Sequence, residues 1–316
     1  IFQDQLAANG LSSCAEDFLY CSGKLQALCY KADIEAALRT KGFGGFQLLG
    51  LSDFPGQGTA LVGVLNAFWE KKSYIDGAEF SEFCNRVVPL ARFPKMVYLN
   101  NEQLNIPVEV AQFGAEPLQS ITPEWVIKND KGLVLYSGKL EKQDIGFGNG
   151  IKIGQIVQNL SAIEKPSRLN LSISIGRYKN NWDFFVYPAQ LPTVSENIVV
   201  TQRLDENALT TLQNGGKVLL TLKKGSVPAK LGGNIAIGFS SIFWNTAWTN
   251  GQPPVTLGIL CDPGNPAFGS FPTQKYSNWQ WWDAMSHSSP LMIDSLSKEL
   301  KPIVRVIDDL VTARSL

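Results

Sequence analysis

Asp53 and Gln57 stand four residues apart across the loop FPGQG, directly after the apolar run FQLLGLS. A carboxylate and an amide so placed combine an acceptor with a group that both donates and accepts. If the run is a strand and the following TALVGVLNAFW a helix, the pair sits at the carboxyl end of a strand. That is the end from which α/β barrels build their active sites. Other chemistries have less to work with. His287 is the single histidine, so Ser/His/Asp or Cys/His catalysis would have to pass through it, and histidine-rich metal sites are excluded. Cys14, Cys21, Cys29, Cys84 and Cys261 show no CxxC spacing and no companion histidines, which argues against zinc. Carboxylate chemistry remains, and neither a metal nor a cofactor is expected.

The elements that would position these residues read as follows. The 316 residues suffice for two or three domains, and 44% hydrophobic content suits globular cores. Lys plus Arg and Asp plus Glu each number 28, so no basic face is available for nucleic acid. No apolar run approaches the roughly 20 residues of a membrane span. The chain opens on the helical pattern IFQDQLAANGL without initiating Met or signal peptide, as processing or excision from a longer protein would leave it. Residues 12–40 pattern as a helix with Ser12 or Ser13 as cap, Glu16 and Asp17 in the first turn, and an interruption at Ser22-Gly23. Glu35 and Arg39 are spaced for a surface pair, and Gly42 for a left-handed cap. Residues 45–52 are apolar almost throughout, like parallel strands covered on both faces, and 58–70 read as a helix. Pro89 and Pro94 bracket a linker.

From residue 96 to about 188, short β-rich runs separated by Gly, Asn or Pro recur at the spacing of an immunoglobulin-like β-sandwich. Asn129-Asp130-Lys131-Gly132 is its clearest hairpin turn, and Trp125 and Trp182 are its core anchors. After residue 191 strands and helices alternate. NIVVTQRL, GKVLLTL and VTLGILCD read as strands; DENALTTLQNG reads as a helix capped by Asp205 and stopped at Gly215, with further helices at about 277–286 and 293–314. That is the pattern of an open, flavodoxin-like α/β sheet, truncated if the last helix is followed by no closing strand. The expected fold class is thus multidomain α/β plus all-β. Residues 1–95 form the end of a (β/α)8 barrel, 96–190 the sandwich, and 191–316 the α/β domain.

The run GGFQLLGLSDFPGQG resembles the eighth strand and loop of family 2 glycoside hydrolases, the β-galactosidase and β-glucuronidase group. Gly44-Gly45-Phe46 and Asp53 match that pattern, and Gln57-Gly58 match its Gln-Gly turn loosely. The longer run from GKLQALCYKADIEAALRTKG to NAFWEKK, together with NWDFFVYP, GQPPVTLGILCDPGNPAF and SNWQWWD, is similar to a gut-bacterial subgroup of family 2-like glycosidases or sugar-binding proteins. Those proteins carry a jelly-roll sugar-binding domain, a barrel, an immunoglobulin-like domain and a C-terminal α/β domain, and the resemblance covers nearly the whole chain. It implies the C-terminal part of a glycoside hydrolase. The two catalytic glutamates, which act with retention through a covalent intermediate, would lie upstream of Ile1, so this chain alone would be inactive and holds no catalytic residue. The alternative is a non-catalytic carbohydrate-binding or assembly module.

The same resemblance implies that Asp53, as acceptor, and Gln57 wall a sugar subsite; an Asx turn that only holds the loop is the competing reading for Asp53. It implies carbohydrate and the remainder of the parent polypeptide as partners, with a homo-oligomer as an option, and a location in the bacterial periplasm or at the cell surface. The C-terminal region also resembles a class I glutamine-amidotransferase-like module. Cys261 in GILCDPG lacks the glycine-flanked elbow, and no Glu follows His287 at the family's spacing, so glutaminase activity is not expected. Trp244, Trp248, Trp279, Trp281 and Trp282 crowd one segment. They can form a carbohydrate platform, for which Trp244, Trp248 and Trp281 are the candidates, or act as glue to the barrel or a second subunit.

Overall fold

The structure is a computed structural model that describes residues 2–56, 61–190, 197–239, 256–293, 296 and 299–308. The helices are α1 (Phe2–Ala8), α2 (Ala15–Arg39), α3 (Gly77–Phe83), α4 (Glu206–Gln213) and α5 (Trp279–Ser286). The first ten strands are β1 (Val87–Ala91), β2 (Val97–Leu99), β3 (Gln103–Gln112), β4 (Leu118–Ile121), β5 (Glu124–Asn129), β6 (Val134–Lys139), β7 (Gln143–Ile145), β8 (Gly148–Asn159), β9 (Ser167–Ile175) and β10 (Tyr178–Tyr187). They are followed by β11 (Ile198–Thr201), β12 (Lys217–Leu220), β13 (Ile259–Cys261) and β14 (Val304–Val306). The result is a mixed α/β chain dominated by several β-sheets. The chain divides into a unit of residues 19–189 with 263–280 and a unit of 1–18, 190–262 and 281–316.

In the first unit, a three-stranded sheet β1-β3-β8 and a five-stranded sheet β2-β10-β9-β5-β6 close on one core. Alternation builds it. Leu169, Leu171, Ile173 and Ile175 of β9 are buried while the residues between them are half-buried. Leu104 and Ile106 meet Ile127 and Phe184 in the same cluster. The β5–β6 turn forms as its sequence demands. Asn129 Oδ1 accepts from the amides of Lys131 and Leu133, and Gly132 takes φ 78°, a conformation natural to glycine. In the second unit, β11 and β12 pair in parallel across α4, whose cap is Asp205 accepting from the Ala208 amide at 3.0 Å. β13 and β14 pair antiparallel.

Several expectations need correction. α2 runs unbroken through Ser22-Gly23, and Gly23 is there for packing: a Cβ on it would lie 2.1 Å from Tyr74 Cδ1. The expected linker at residues 89–94 begins with an edge strand, where Pro89 is tolerated because its missing N–H faces no ladder partner. Every residue of β1 is buried. Val87 and Ala91 belong to the sandwich core, whereas Val88 and Leu90 pack under α2 with Ile34 and Leu38. The expected last helix at 293–314 contains β14 instead; Pro302 denies a helix its amide there, and Val304 and Val306 favour a strand.

The largest departure is at residues 43–70. Residues 45–52 form no strand, and their ladder contribution is an isolated bridge from Ser52 to Leu65. Gly50, at φ 87°, breaks the run. Residues 61–70 are not helical. Asn66 Oδ1 accepts from the amides of Phe68 (2.9 Å) and Glu70 (3.0 Å), a side-chain turn that competes with helix. Leu49 is left 90% exposed and Phe68 84% exposed. Among the described residues, the barrel and the flavodoxin-like sheet are not visible.

Candidate functional site

Asp53 is buried, and its Oδ1 accepts from Lys72 Nζ at 2.8 Å and from the Gly63 amide at 3.0 Å. The carboxylate thereby clasps its own loop, and Lys72 also reaches the Leu61 carbonyl. Gln57, Trp244 and Trp248 lie outside the described residues. Trp281 is buried in α5, and Trp282 beside it is half exposed. Cys261 is buried in β13, whereas His287 is exposed with Nδ1 2.9 Å from the Asp283 carbonyl. Of the expected site residues the structure describes Asp53 and Trp281, each in its own surroundings.

It assembles others. Glu35, midway along α2 and 3% exposed, lies between cations one helical turn to either side. Its Oε1 is 2.7 Å from Lys31 Nζ, and its Oε2 is 2.7 Å from an Arg39 amino group. Asn180 Nδ2 donates to Oε1 at 2.9 Å, and Trp182 Nε1 donates to both oxygens at 3.1 and 3.0 Å. Asn180 also donates to the Pro89 carbonyl, accepts from Lys31 through Oδ1, and Arg39 donates to the Ala91 carbonyl. One carboxylate thus ties α2 to β1 and β10. Burial alone would raise the Glu35 pKa, but the charges of Lys31 and Arg39 and the bonds from Lys31 and Trp182 outweigh it and hold the group below its ordinary range. Burial lowers the Lys31 ammonium, opposed by the charge of Glu35.

Glu35 is saturated with donors and anchors the fold; it is not a poised acid or base. Glycoside hydrolysis by the usual route needs two carboxyl groups across a scissile bond, and the neighbours of Glu35 are cations and amides. Sequence reading placed Glu35 and Arg39 at the surface. One signal could have corrected it: Glu35 follows Leu28 by seven residues and Cys21 by fourteen, all on one stripe of α2, and Cys21 is buried.

Two pockets flank this anchor, and Leu28, Lys31, Trp182 and Trp279 line both. The larger, about 480 Å³, lies over Ala32, Arg39, Arg92, Phe93 and Met96. Arg92 there is held by Glu109 through two bonds of 3.1 and 2.9 Å. The smaller, about 170 Å³, lies between α2, α3, β10 and residues 274–279. Its walls carry Glu79, Glu82, Asn181, Asp183, Gln274 and Asn278. Asp183 accepts from Asn170 at 2.7 Å and from Gln274 Nε2 at 3.4 Å, and Gln274 Oε1 accepts from Asn278 at 2.9 Å. Tyr276, also in the wall, has its hydroxyl pushed up to about 12, chiefly by burial. Among the described residues no cluster of His, Cys, Asp and Glu could hold a metal ion, and no helix is long and apolar enough to cross a membrane.

Residues 102–188 match the family described as Domain of unknown function (DUF8488), and residues 199–316 match Domain of unknown function (DUF8487). No curated protein matches the chain. Weak structural neighbours include glycoside hydrolases. The exo-chitosanase CsxA of Amycolatopsis orientalis is 10% identical with a TM-score of 0.34, over 54% of this chain and 19% of that one. A family 123 glycoside hydrolase from Clostridium perfringens is 9% identical with a TM-score of 0.24, over 37% of this chain and 30% of that one. A β-glucuronidase from glycoside hydrolase family 2 is 15% identical with a TM-score of 0.22, over 32% of this chain and 11% of that one. This chain spans no more than 30% of the length of any of these three structures. Neighbours of equal weakness include a DNA glycosylase and a sporulation control protein.

Proposed function

We propose that this chain is the non-catalytic, C-terminal part of a glycoside hydrolase, and that residues 43–69 pack against the catalytic barrel of that enzyme. One observation carries the reading. Phe46, Leu49, Phe54, Leu61, Phe68 and Trp69 all stand exposed within a single short segment. Full burial of one such side chain stabilises by about 1.5–3 kcal/mol, and soluble proteins rarely leave so many together without a partner. The same residues carry the resemblance to the last strand, loop and helix of a family 2 barrel. A β-strand flanked by barrel staves would give FQLLGLS the ladder partners that it lacks here. With this reading go the barrel-end, sandwich and α/β division of the chain and a site of action in the periplasm or at the cell surface. Carbohydrate is then the substrate of the whole enzyme, and its acid pair belongs to the barrel.

Hydrogen exchange on residues 43–69, in this chain and in a longer polypeptide carrying the barrel, tests the proposal. The expected outcome is fast exchange here, strong protection there, and hydrolysis of nitrophenyl glycosides by the longer protein alone. Equal exchange in both, or hydrolysis by this chain, removes the reading.

A further inference from the structure

We infer that the 170 Å³ pocket between α2, α3, β10 and residues 274–279 binds a single uncharged sugar ring. The inference stands apart from the glycosidase reading, since docking of residues 43–69 and sugar binding here can fail separately.

The first observation is an orphaned atom. Asn278 is 7% exposed and lines the pocket; its Nδ2 donates to Gln274, while its buried Oδ1 accepts from nothing. A buried carbonyl oxygen without a donor is rare in folded proteins and calls for a partner. A ligand hydroxyl in the pocket supplies one. The second observation is the composition of the wall. Carboxylates and amides (Glu79, Glu82, Asp183, Asn181, Gln274) present flat pairs of donors and acceptors, which suit the vicinal hydroxyls of a sugar. Tyr276 and Trp279, both partly exposed, add ring surface for the apolar C–H patches of a pyranose. A few placed polar groups among aromatic walls is the general form of a small-molecule site.

Charge narrows the class. The wall holds Lys24 and Lys31 against Glu79, Glu82 and Asp183, two cations against three anions. Both lysines are already engaged, Lys24 by Glu79 at 3.3 Å and Lys31 by Glu35 at 2.7 Å. No cation is left for a phosphate or a uronate, so a neutral ring is favoured. Size narrows it again. The volume lies far above the roughly 10–15 Å³ that admits one water and below the roughly 300 Å³ at which larger ligand pockets begin. One ring fits that interval; an oligosaccharide chain does not.

The test titrates the full 316-residue chain with D-glucose, D-galactose, D-mannose and N-acetyl-D-glucosamine separately, following tryptophan fluorescence and heat of binding. At least one of the four should saturate the signal, and D-glucuronate should bind at least about tenfold more weakly than that sugar. Asn278→Leu should weaken binding by about tenfold or more, the loss of one buried hydrogen bond, with the melting curve retained. Should that variant not fold, Gln274→Ala reads the same contact chain and should weaken binding similarly. The inference falls if none of the four sugars binds at roughly 50 mM, if glucuronate binds best, or if folded Asn278→Leu or Gln274→Ala binds like the parent.

Discussion

The runs VVPLA at residues 87–91 and FQLLGLS at residues 46–52 are both rich in apolar side chains, yet the first is a fully buried strand and the second is not a strand. Gly50 is one difference between them; cover is the other. β1 makes five consecutive pairings with β3, from Val87 opposite Gln112 to Ala91 opposite Val108. Its two faces rest on the sandwich core and on α2. FQLLGLS has one isolated bridge, Ser52 to Leu65, in place of a ladder, and Leu49 points into solvent. The difference teaches that an apolar run becomes a strand where a neighbour satisfies its backbone and another layer hides its side chains. Where these are missing, the same chemistry yields an exposed, turn-broken segment.

Removing the roof from β1 is the strongest way to attack this comparison. Glu35 fastens α2 over β1 through Asn180, Trp182 and Arg39. Glu35→Ala strands Lys31 and Arg39 beside an apolar interface and should destabilise the sandwich unit by about 3–5 kcal/mol in urea unfolding. Acid should do the same more gently. The folded-state pKa of Glu35 lies below its unfolded value. Its contribution is therefore complete above the ordinary glutamate range and is lost as pH falls through the depressed value. The parent should lose stability on acidification more steeply than Glu35→Gln; parallel pH curves would show that Glu35 does not hold the roof. Next in size is a matched pair of truncations. Leu171→Ala, in the core shared by both sheets, should cost about 2–5 kcal/mol. Leu49→Ala should stay within about 0.5 kcal/mol, because its side chain touches little. Equal losses would mean that the two regions are not different in kind.

The sandwich strands were legible because each needed information carried within it. Alternation along RLNLSISI, the Asn129 turn and the Asp205 cap are local signals, and the structure follows them. The failures needed information from elsewhere in the chain. Glu35 and Arg39 satisfy the rule for a solvated pair, and nothing local says that Trp182, nearly 150 residues away, will close over them. Pro89 reads as a linker residue unless β3 is known to leave its nitrogen unopposed. FQLLGLS reads as a covered parallel strand because that is what its composition suits, while the cover is a property of its surroundings. The candidate site was less legible still. Asp53 admitted both a sugar contact and a loop clasp, and the described bonds go to Lys72 and Gly63. Asn278 carries no motif at all, and its orphaned oxygen exists only once residues 274–279 are folded.

The gentlest probe compares the two regions by thiol chemistry. Cys29 is a buried residue of α2, where burial first and the Asp33 charge second push its pKa up to about 11. The thiolate is the reacting species, so at pH 8 only about one part in a thousand of Cys29 is competent, against roughly a quarter of an ordinary cysteine of pKa 8.5. A cysteine introduced by Leu49→Cys meets no such burial. Iodoacetamide should therefore modify position 49 at least about a hundredfold faster than Cys29, with both sites followed by peptide mass spectrometry in one reaction. Urea should erase the contrast by releasing Cys29. If Cys29 labels as fast as position 49 in the native protein, α2 is not the buried helix that the comparison requires. If position 49 labels slowly, some cover reaches FQLLGLS after all.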